Sequence, residues 1–364
     1  MNNSELAIYI NQAISNILSE VLAHTFNNPK ETAFLISYHT HSKKLTKLRM
    51  KWEAKGHHIP AFLISSITHT CNLFCAGCYA RNNGMCCEEP TKTMLSAYEW
   101  ESIFKQSSEL GIGFHLLAGG EPLTRPDVIH MASSVHDVIF PIFTNGTLID
   151  EEYCKLFDKS RNLIPVLSIE GSEKTTDSRR GEGIYFQLLD KMKLLKEHKI
   201  LFGVSVTVTK ENLSEAVNVD FIELLKSLGC RLIFYIEYVP IDSDTKEIAF
   251  SEKERMELEE YKINLKAKFP YILFLSFPGD EKSMGGCLAA GRGFFHINPY
   301  GEAEACPFSP YSDRSVKNYT LLEILQSPFF KNLQQENLVG GEHSGGCALF
   351  EQESKVKSIL ESAK

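Results

Sequence analysis

The sequence predicts an α/β protein built on a parallel sheet of repeated β–α units, and three observations carry that prediction. Six short apolar, β-branched runs alternate with amphipathic stretches between residues 61 and 239. Each run is continuously apolar, as a strand covered on both faces must be. Helical spacing dominates before residue 56, and from about residue 280 the alternation stops and glycine becomes frequent. Periodicity leaves open whether the sheet is an open doubly wound sheet or a barrel, complete or partial. In either case the chemistry gathers at the carboxyl ends of the strands.

Residues 5–26 place Leu6, Ile10, Ile14, Ile17, Val21 and Leu22 at helical spacing before Asn27-Asn28-Pro29. A second helix is expected over 31–55, with Lys43, Lys44, Lys47, Arg49, Lys51 and Lys55. Such a basic run reads first as a solvated helix face, and second as a surface for an acidic partner or an anionic lipid. Strands follow at 61–68, 114–118, 138–144, 164–169, 203–209 and 232–239, with helices near 95–110, 126–136, 150–159, 184–199 and 215–228. A charged helix (251–268) and a strand-like run (271–277) close the repeat. Beyond them FFHINPYGEAEA reads as a hairpin turning at Pro299-Tyr300-Gly301. Three regions result: a helical extension (1–59), a barrel or sheet core (60–278) and a small C-terminal module (279–364). The last is short of long apolar runs, so a metal centre would help it fold.

With 364 residues and 43% hydrophobic content the chain is globular rather than disordered. A net charge of −8 argues against nucleic acid as the main partner. No apolar run reaches the roughly 20 residues of a membrane span, and the N-terminus lacks a secretory pattern. A cytoplasmic location is therefore expected. In that reducing setting the ten cysteines read as metal ligands rather than disulfides.

Directly after the first strand stands THTCNLFCAGCYA, with Cys71-x3-Cys75-x2-Cys78. Three thiolates on one loop can take three corners of an iron–sulfur cubane and leave one iron free to chelate a ligand. A structural zinc site would need a fourth ligand, for which His69 is at hand. The triplet resembles the signature of the radical S-adenosylmethionine superfamily, and further motifs match in order. Gly119-Gly120-Glu121-Pro122 is similar to the family's GGEP turn, and Thr144-Asn145-Gly146 to a turn common in the family. Ser168 stands where relatives hold the ribose, with Glu170 in place of the more usual Asp. DSRRG (177–181) resembles a motif whose arginine pairs the cofactor carboxylate, which points to Arg180 first and Arg179 second.

The resemblance implies a partial (βα)6 TIM-like barrel. It implies a [4Fe-4S] cluster on Cys71, Cys75 and Cys78, with S-adenosylmethionine on its open iron beside Gly119, Gly120, Glu121, Ser168 and Arg180. It also implies a 5′-deoxyadenosyl radical that abstracts hydrogen from a substrate, and a flavodoxin- or ferredoxin-type electron donor. Cys287, then Gly301-x4-Cys306, then Cys347 resemble the Twitch type of SPASM/Twitch module. They imply a second, auxiliary iron–sulfur cluster whose fourth ligand is open, His343 being one choice.

SPASM/Twitch members often modify peptides or proteins, so a peptide substrate is expected, with a small molecule, cofactor precursor or lipid as the alternative. Residues 1–55 lack the strand-plus-winged-helix element by which many peptide maturases grip a leader. A non-catalytic iron–sulfur or zinc protein is the competing class. Cys86 and Cys87 read first as inert or structural thiols, with catalytic thiols or a fourth cluster ligand as the alternatives, and Cys154 and Cys230 read as core residues. Glu237 and, more weakly, His115 are expected to point into the barrel as polar substrate contacts.

Overall fold

In a computed structural model the described residues are 3–23, 28–86, 92–240, 245–277, 284–336, 338–339 and 347–363. Two helices lead, α1 (Asn3–Ala23) and α2 (Pro29–Glu53). The repeat then runs β1 (Phe62–Ser66), the short α3 (Tyr79–Asn82), α4 (Ala97–Leu110), β2 (Phe114–Ala118), α5 (Pro126–Ser133) and β3 (Phe140–Thr144). It continues through α6 (Glu151–Lys159), β4 (Leu163–Ser168), α7 (Glu173–Arg180), α8 (Ile184–Glu197), β5 (Gly203–Val208), α9 (Leu213–Ala216), α10 (Val219–Ser227) and β6 (Leu232–Glu237). After α11 (Glu252–Lys268) and β7 (Leu273–Phe277) come three short strands, β8 (His296–Ile297), β9 (Glu302–Glu304) and β10 (Arg314–Ser315). The chain ends in α12 (Leu321–Leu325), α13 (Pro328–Gln335), α14 (Ala348–Glu351) and α15 (Glu353–Ala363).

One ten-stranded sheet holds everything, in the order β10-β9-β8-β1-β2-β3-β4-β5-β6-β7. Strands β1 to β7 are parallel neighbours, and among the described residues β7 pairs only β6, which leaves the barrel partial. The expected six-strand barrel is present, with β7 as a seventh parallel strand. The β8–β9 hairpin turns at Gly301 (φ 93°), as the Pro-Tyr-Gly signal requires. β8 is itself parallel to β1, through Ile64↔His296 and Ser65↔Ile297. The expected boundary near residue 278 therefore falls within one continuous sheet.

Alternation along the strands sorts the two faces. In β6, Ile233, Tyr235 and Glu237 are buried toward the helices, while Leu232, Phe234 and Ile236 line the interior half-exposed. The Tyr235 hydroxyl donates to the Ala216 carbonyl of α9, which marks the outer side.

At the amino ends of the strands sits the α1–α2 hairpin. Leu6, Ile10, Ile14 and Leu18 pack with Tyr38, Ala61, Ile139 and Ile164 in one buried cluster. The stripe foreseen in α1 is thus consumed as a plug in the barrel floor, with Leu18 where Ile17 was expected. The side chains of Val21 and Leu22 lie outside the described residues. α2 starts on an Asn28 cap followed by Pro29, and its middle docks on the end of α4. There the buried Arg49 bonds the Gly111 carbonyl and Asn11, and the Tyr38 hydroxyl donates to the Gly113 carbonyl at 2.7 Å. The hairpin thus covers the amino ends of the strands, opposite the loops that leave their carboxyl ends. No described helix is long and apolar enough to cross a membrane.

Candidate functional site

The thiol triplet lies on the loop that leaves β1, and three neighbouring turns hold that loop. The first is GGEP, after β2: Gly120 N–H donates to Thr68 O at 2.8 Å and Glu121 N–H to Thr70 O at 2.7 Å. A Cβ on Gly119 (φ +133°) would lie 2.5 Å from Thr68 O, and one on Gly120 2.1 Å from Thr70 O. The glycines are required because two backbones touch there. The cysteine loop itself occupies the side their Cβ atoms would take.

Glu121 differs from expectation. Its buried carboxylate accepts from Leu123 N (3.0 Å), Thr144 Oγ1 (2.6 Å) and Asn145 N (2.7 Å). Burial raises its pKa and these bonds oppose the rise. The carboxylate therefore ties GGEP to the second turn, Thr144-Asn145-Gly146, rather than reaching outward. From that turn Asn145 Nδ2 donates to Asn72 Oδ1 at 2.9 Å, and Asn72 Nδ2 to Thr147 Oγ1 at 2.8 Å. A closed ring of hydrogen bonds thus runs from the cysteine loop through both turns and back.

The third support is the end of α7. Ala76 N–H donates to Arg179 O at 2.8 Å. The buried Glu170 carboxylate pairs with Arg180, lies 3.2 Å from Arg179 Nε, and accepts from Thr207 N at 2.8 Å. Arg180 Nη1 stands 3.9 Å from Cys75 Sγ. Burial works against the Arg180 charge, but Glu170 and the Cys75 thiol outweigh it and raise its pKa. Glu170 thus holds both arginines.

Burial also pushes the Cys71 thiol up to about 11, with the Leu73 N–H opposing and Glu121, Cys86 and Cys75 adding. Cys75 is raised by burial against the pull of Arg180. Thiols so placed lose their protons on binding metal, not before. Arg180 Nε and Tyr238 Oη are buried without a hydrogen-bond partner among the described residues, and buried polar atoms left bare mark where a ligand or water belongs. Among the described residues no three His, Cys, Asp or Glu side chains are set to hold a single metal ion. A cubane seats each thiolate on a different iron, so its ligands need not converge on one point. Three soft donors, two guanidinium groups and the bare Tyr238 hydroxyl fit a cluster with an anionic ligand beside it.

Ser168 ends β4 half-buried, 3.1 Å from Ser205 Oγ, on the interior face with Thr207, Phe143 and Phe234. The second thiol set also comes together. Cys306 is raised well above the usual thiol range, first by burial, then by the Cys347 thiol within hydrogen-bonding reach and by Cys287 nearby. Cys86 is buried against Cys71, Cys78 and Tyr79. Cys154 and Cys230 are core residues, as expected. Cys87 and His343 lie outside the described residues.

Two expectations are overturned. Glu237 faces the helices and pairs with Arg255 of α11 at 2.5 and 2.8 Å. His115 is also outside the barrel: its Nε2 lies 2.6 Å from Ser65 Oγ, and its ring packs against Phe104 of α4. In both cases the residue fell on the outer parity of its strand. The sequence reading also missed a buried chain in which His296 Nε2 lies 2.8 Å from Ser66 Oγ and Nδ1 2.7 Å from Glu304 Oε2. The hairpin turn at 299–301 would have placed His296 opposite Glu304, as the register confirms.

A partial parallel barrel whose first loop carries three thiols, clamped by the turns after β2 and β3 and by paired arginines, defines a cluster-binding barrel enzyme. Residues 65–222 match the sequence model of the radical SAM superfamily, so the chain carries a radical SAM domain. Proteins of this superfamily use a [4Fe-4S] cluster with S-adenosylmethionine. An AdoMet-dependent heme synthase of Methanosarcina barkeri is 26% identical, over 80% of this chain and 88% of its own length. The antilisterial bacteriocin subtilosin biosynthesis protein AlbA of Bacillus subtilis is also 26% identical, over 76% of this chain but 62% of AlbA. Streptococcus suis SuiB, solved with its precursor peptide SuiA, superposes with a TM-score of 0.64 at 18% identity, over 88% of this chain and 77% of SuiB. That likeness shows the shared fold.

Proposed function

We propose that this enzyme modifies a peptide or protein by radical chemistry, with Cys71, Cys75 and Cys78 as the ligands of the S-adenosylmethionine-binding cluster. When bound, that pair supplies a 5′-deoxyadenosyl radical by one-electron cleavage of the sulfonium. The chain's own residues do the rest. The ring of bonds through Gly120, Glu121, Asn145 and Asn72 fixes the thiols before any metal arrives. Arg180 would offer positive charge beside Cys75 to the cofactor carboxylate, the backbone at Gly119-Gly120 would border it, and Ser168 would offer a hydroxyl to its ribose. The plugged floor and the apolar interior around Phe143 and Phe234 exclude water from a reactive radical. Cys287, Cys306 and Cys347 hold an auxiliary cluster. A small acidic electron carrier of the flavodoxin or ferredoxin type supplies electrons, in the cytoplasm.

The observation that carries the reading is the thiol triplet locked by three turns beside bare, buried donors. The peptide assignment rests on the similarity to AlbA. A second reading, an iron porphyrin as substrate, is favoured by the heme synthase, whose length this chain nearly spans.

The test is anaerobic reconstitution with iron and sulfide, then dithionite and S-adenosylmethionine. 5′-Deoxyadenosine should form, and replacing Cys71, Cys75 and Cys78 together by Ala should abolish it. The same change at Cys287, Cys306 and Cys347 should leave one cluster's iron. Zinc in the triplet, or a cluster whose spectrum ignores S-adenosylmethionine, would refute the reading. Stimulation of 5′-deoxyadenosine by candidate precursor peptides but not by iron porphyrins supports the peptide reading, and the reverse supports the second.

A further inference from the structure

Between the two thiol sets lies an aromatic residue that neither set needs as a ligand. Tyr79 follows Cys78 directly and begins α3. Its ring meets Phe308 edge-on, with centroids 5.0 Å apart at 64°. Phe308 stands two residues past Cys306, and its backbone N–H bonds the Cys306 sulfur. On its other side Tyr79 packs into one cluster with Cys71, Cys78 and the buried Cys86 of its own loop. The same loop is anchored to that module by Asn83 Nδ2, which donates to the Pro307 carbonyl at 3.1 Å. Tyr79 is therefore the point where the two sulfur sites share a neighbour.

We propose that Tyr79 and Phe308 form an aromatic bridge that carries single electrons between the Cys71–Cys75–Cys78 site and the Cys287–Cys306–Cys347 site. The inference rests on the two-cluster reading above. The path is covalent from Cys78 to Tyr79, crosses one ring-to-ring contact, and ends in the hydrogen bond to the Cys306 sulfur. Tunnelling weakens steeply with each through-space gap, and the packed rings leave only the ring-to-ring contact and the closing hydrogen bond as non-covalent steps. No bond forms or breaks in the transfer. One site is oxidised by one electron, the other is reduced by one, no proton moves, and the electron enters from an external one-electron reductant.

Three variants of the reconstituted full-length protein test this. Tyr79→Phe keeps the ring, whereas Tyr79→Leu and Phe308→Leu each remove one ring and retain apolar bulk. All should keep iron and sulfide for two clusters, with unchanged spectra and potentials. After rapid mixing with less than one equivalent of dithionite, freeze-quenched EPR follows how the electron redistributes between the clusters. Redistribution should match wild type in Tyr79→Phe and slow severalfold in both Leu variants.

Wild-type rates in both Leu variants with both clusters intact would overturn the bridge, as would slowing in Tyr79→Phe equal to that in Tyr79→Leu. If one Leu variant loses a cluster, the other decides, because the two residues lie on separate segments. If both do, the pair is a packing element and the bridge fails. A wild type holding one cluster would instead sink the auxiliary-site reading, and the bridge with it.

Discussion

Glu121 shows how one side chain can build a site without reaching into it. Its carboxylate collects three donors from two turns, and each donor would be left buried and bare in Glu121→Ala. Partial relaxation should hold the total loss to roughly 3 kcal/mol. We expect a lower unfolding midpoint and reduced iron content after reconstitution, read by thermal melting and iron assay. An unchanged midpoint with normal iron would show that the turns hold themselves. The motif was legible in the sequence because GGEP falls at a strand end, but its contacts were not, since spacing cannot say which way a carboxylate turns.

His115 carries a pH signature of a different kind. Burial lowers its pKa from 6.5 to about 3. The folded state therefore excludes a proton that the unfolded chain binds below pH 6.5. Its contribution to stability is complete above that pH and is lost as pH falls toward about 3, at about 1.4 kcal/mol per pH unit. Denaturant midpoints should drop between pH 6.5 and 5 in wild type, and drop less in His115→Gln. Equal slopes would remove His115 as the cause.

At the scale of elements, strand parity decides what a polar residue means. Continuous apolar runs announce buried strands but hide which face looks inward, and so Glu237 was read as a substrate contact. Its partner Arg255 sits one helix later, at a separation no periodicity reports. Glu237→Gln should weaken the attachment of α11 to β6 by roughly 2–3 kcal/mol, at the low end for a broken buried pair because Arg255 is partly exposed. Formation of 5′-deoxyadenosine should be unaffected when assayed well below the melting temperature. Loss of the product at full stability would return Glu237 to the site.

The floor of the barrel offers a parallel case. The apolar spacing of α1 was plain, but what it covers was not, because the strand ends it meets, at Ala61, Ile139 and Ile164, lie far along the chain. Gly111 is where α2 presses on the end of α4. Its φ is +94°, and a Cβ there would lie 2.7 Å from Leu45 O. Gly111→Ala should cost more than about 1 kcal/mol, and hydrogen exchange should rise in α2 before it rises in the strands. Uniform exchange, or none above wild type, would show that the plug is not held there.

For the molecule as a whole, the question is whether the C-terminal module is a separate body or part of the barrel. Composition argued for separateness, since glycine content and cysteine spacing both change near residue 280. The structure joins the regions at several levels. Phe62 N–H and Ile64 N–H donate to Gly293 O and Phe295 O at 3.3 and 3.0 Å, which makes β8 the next strand beyond β1. The His296 ring lies between Ser66 of the barrel and Glu304 of the hairpin. Leu321 N–H donates to Gln106 Oε1 of α4 at 3.0 Å, and Phe295, Phe329, Phe330 and Val356 share one buried cluster with Trp100 and Phe104. Removing the module would leave β1 as a bare parallel edge beside an opened core, an arrangement that invites aggregation. We therefore expect unfolding to be cooperative across the residue 278 boundary. Fluorescence from Trp100, buried on the barrel side, and amide exchange in β8 and β9 should give the same unfolding free energy. Exchange in the hairpin at clearly lower free energy than in β1–β7 would mean that the module opens alone. In that case the spacing between the two thiol sets would be set by a hinge rather than by a sheet.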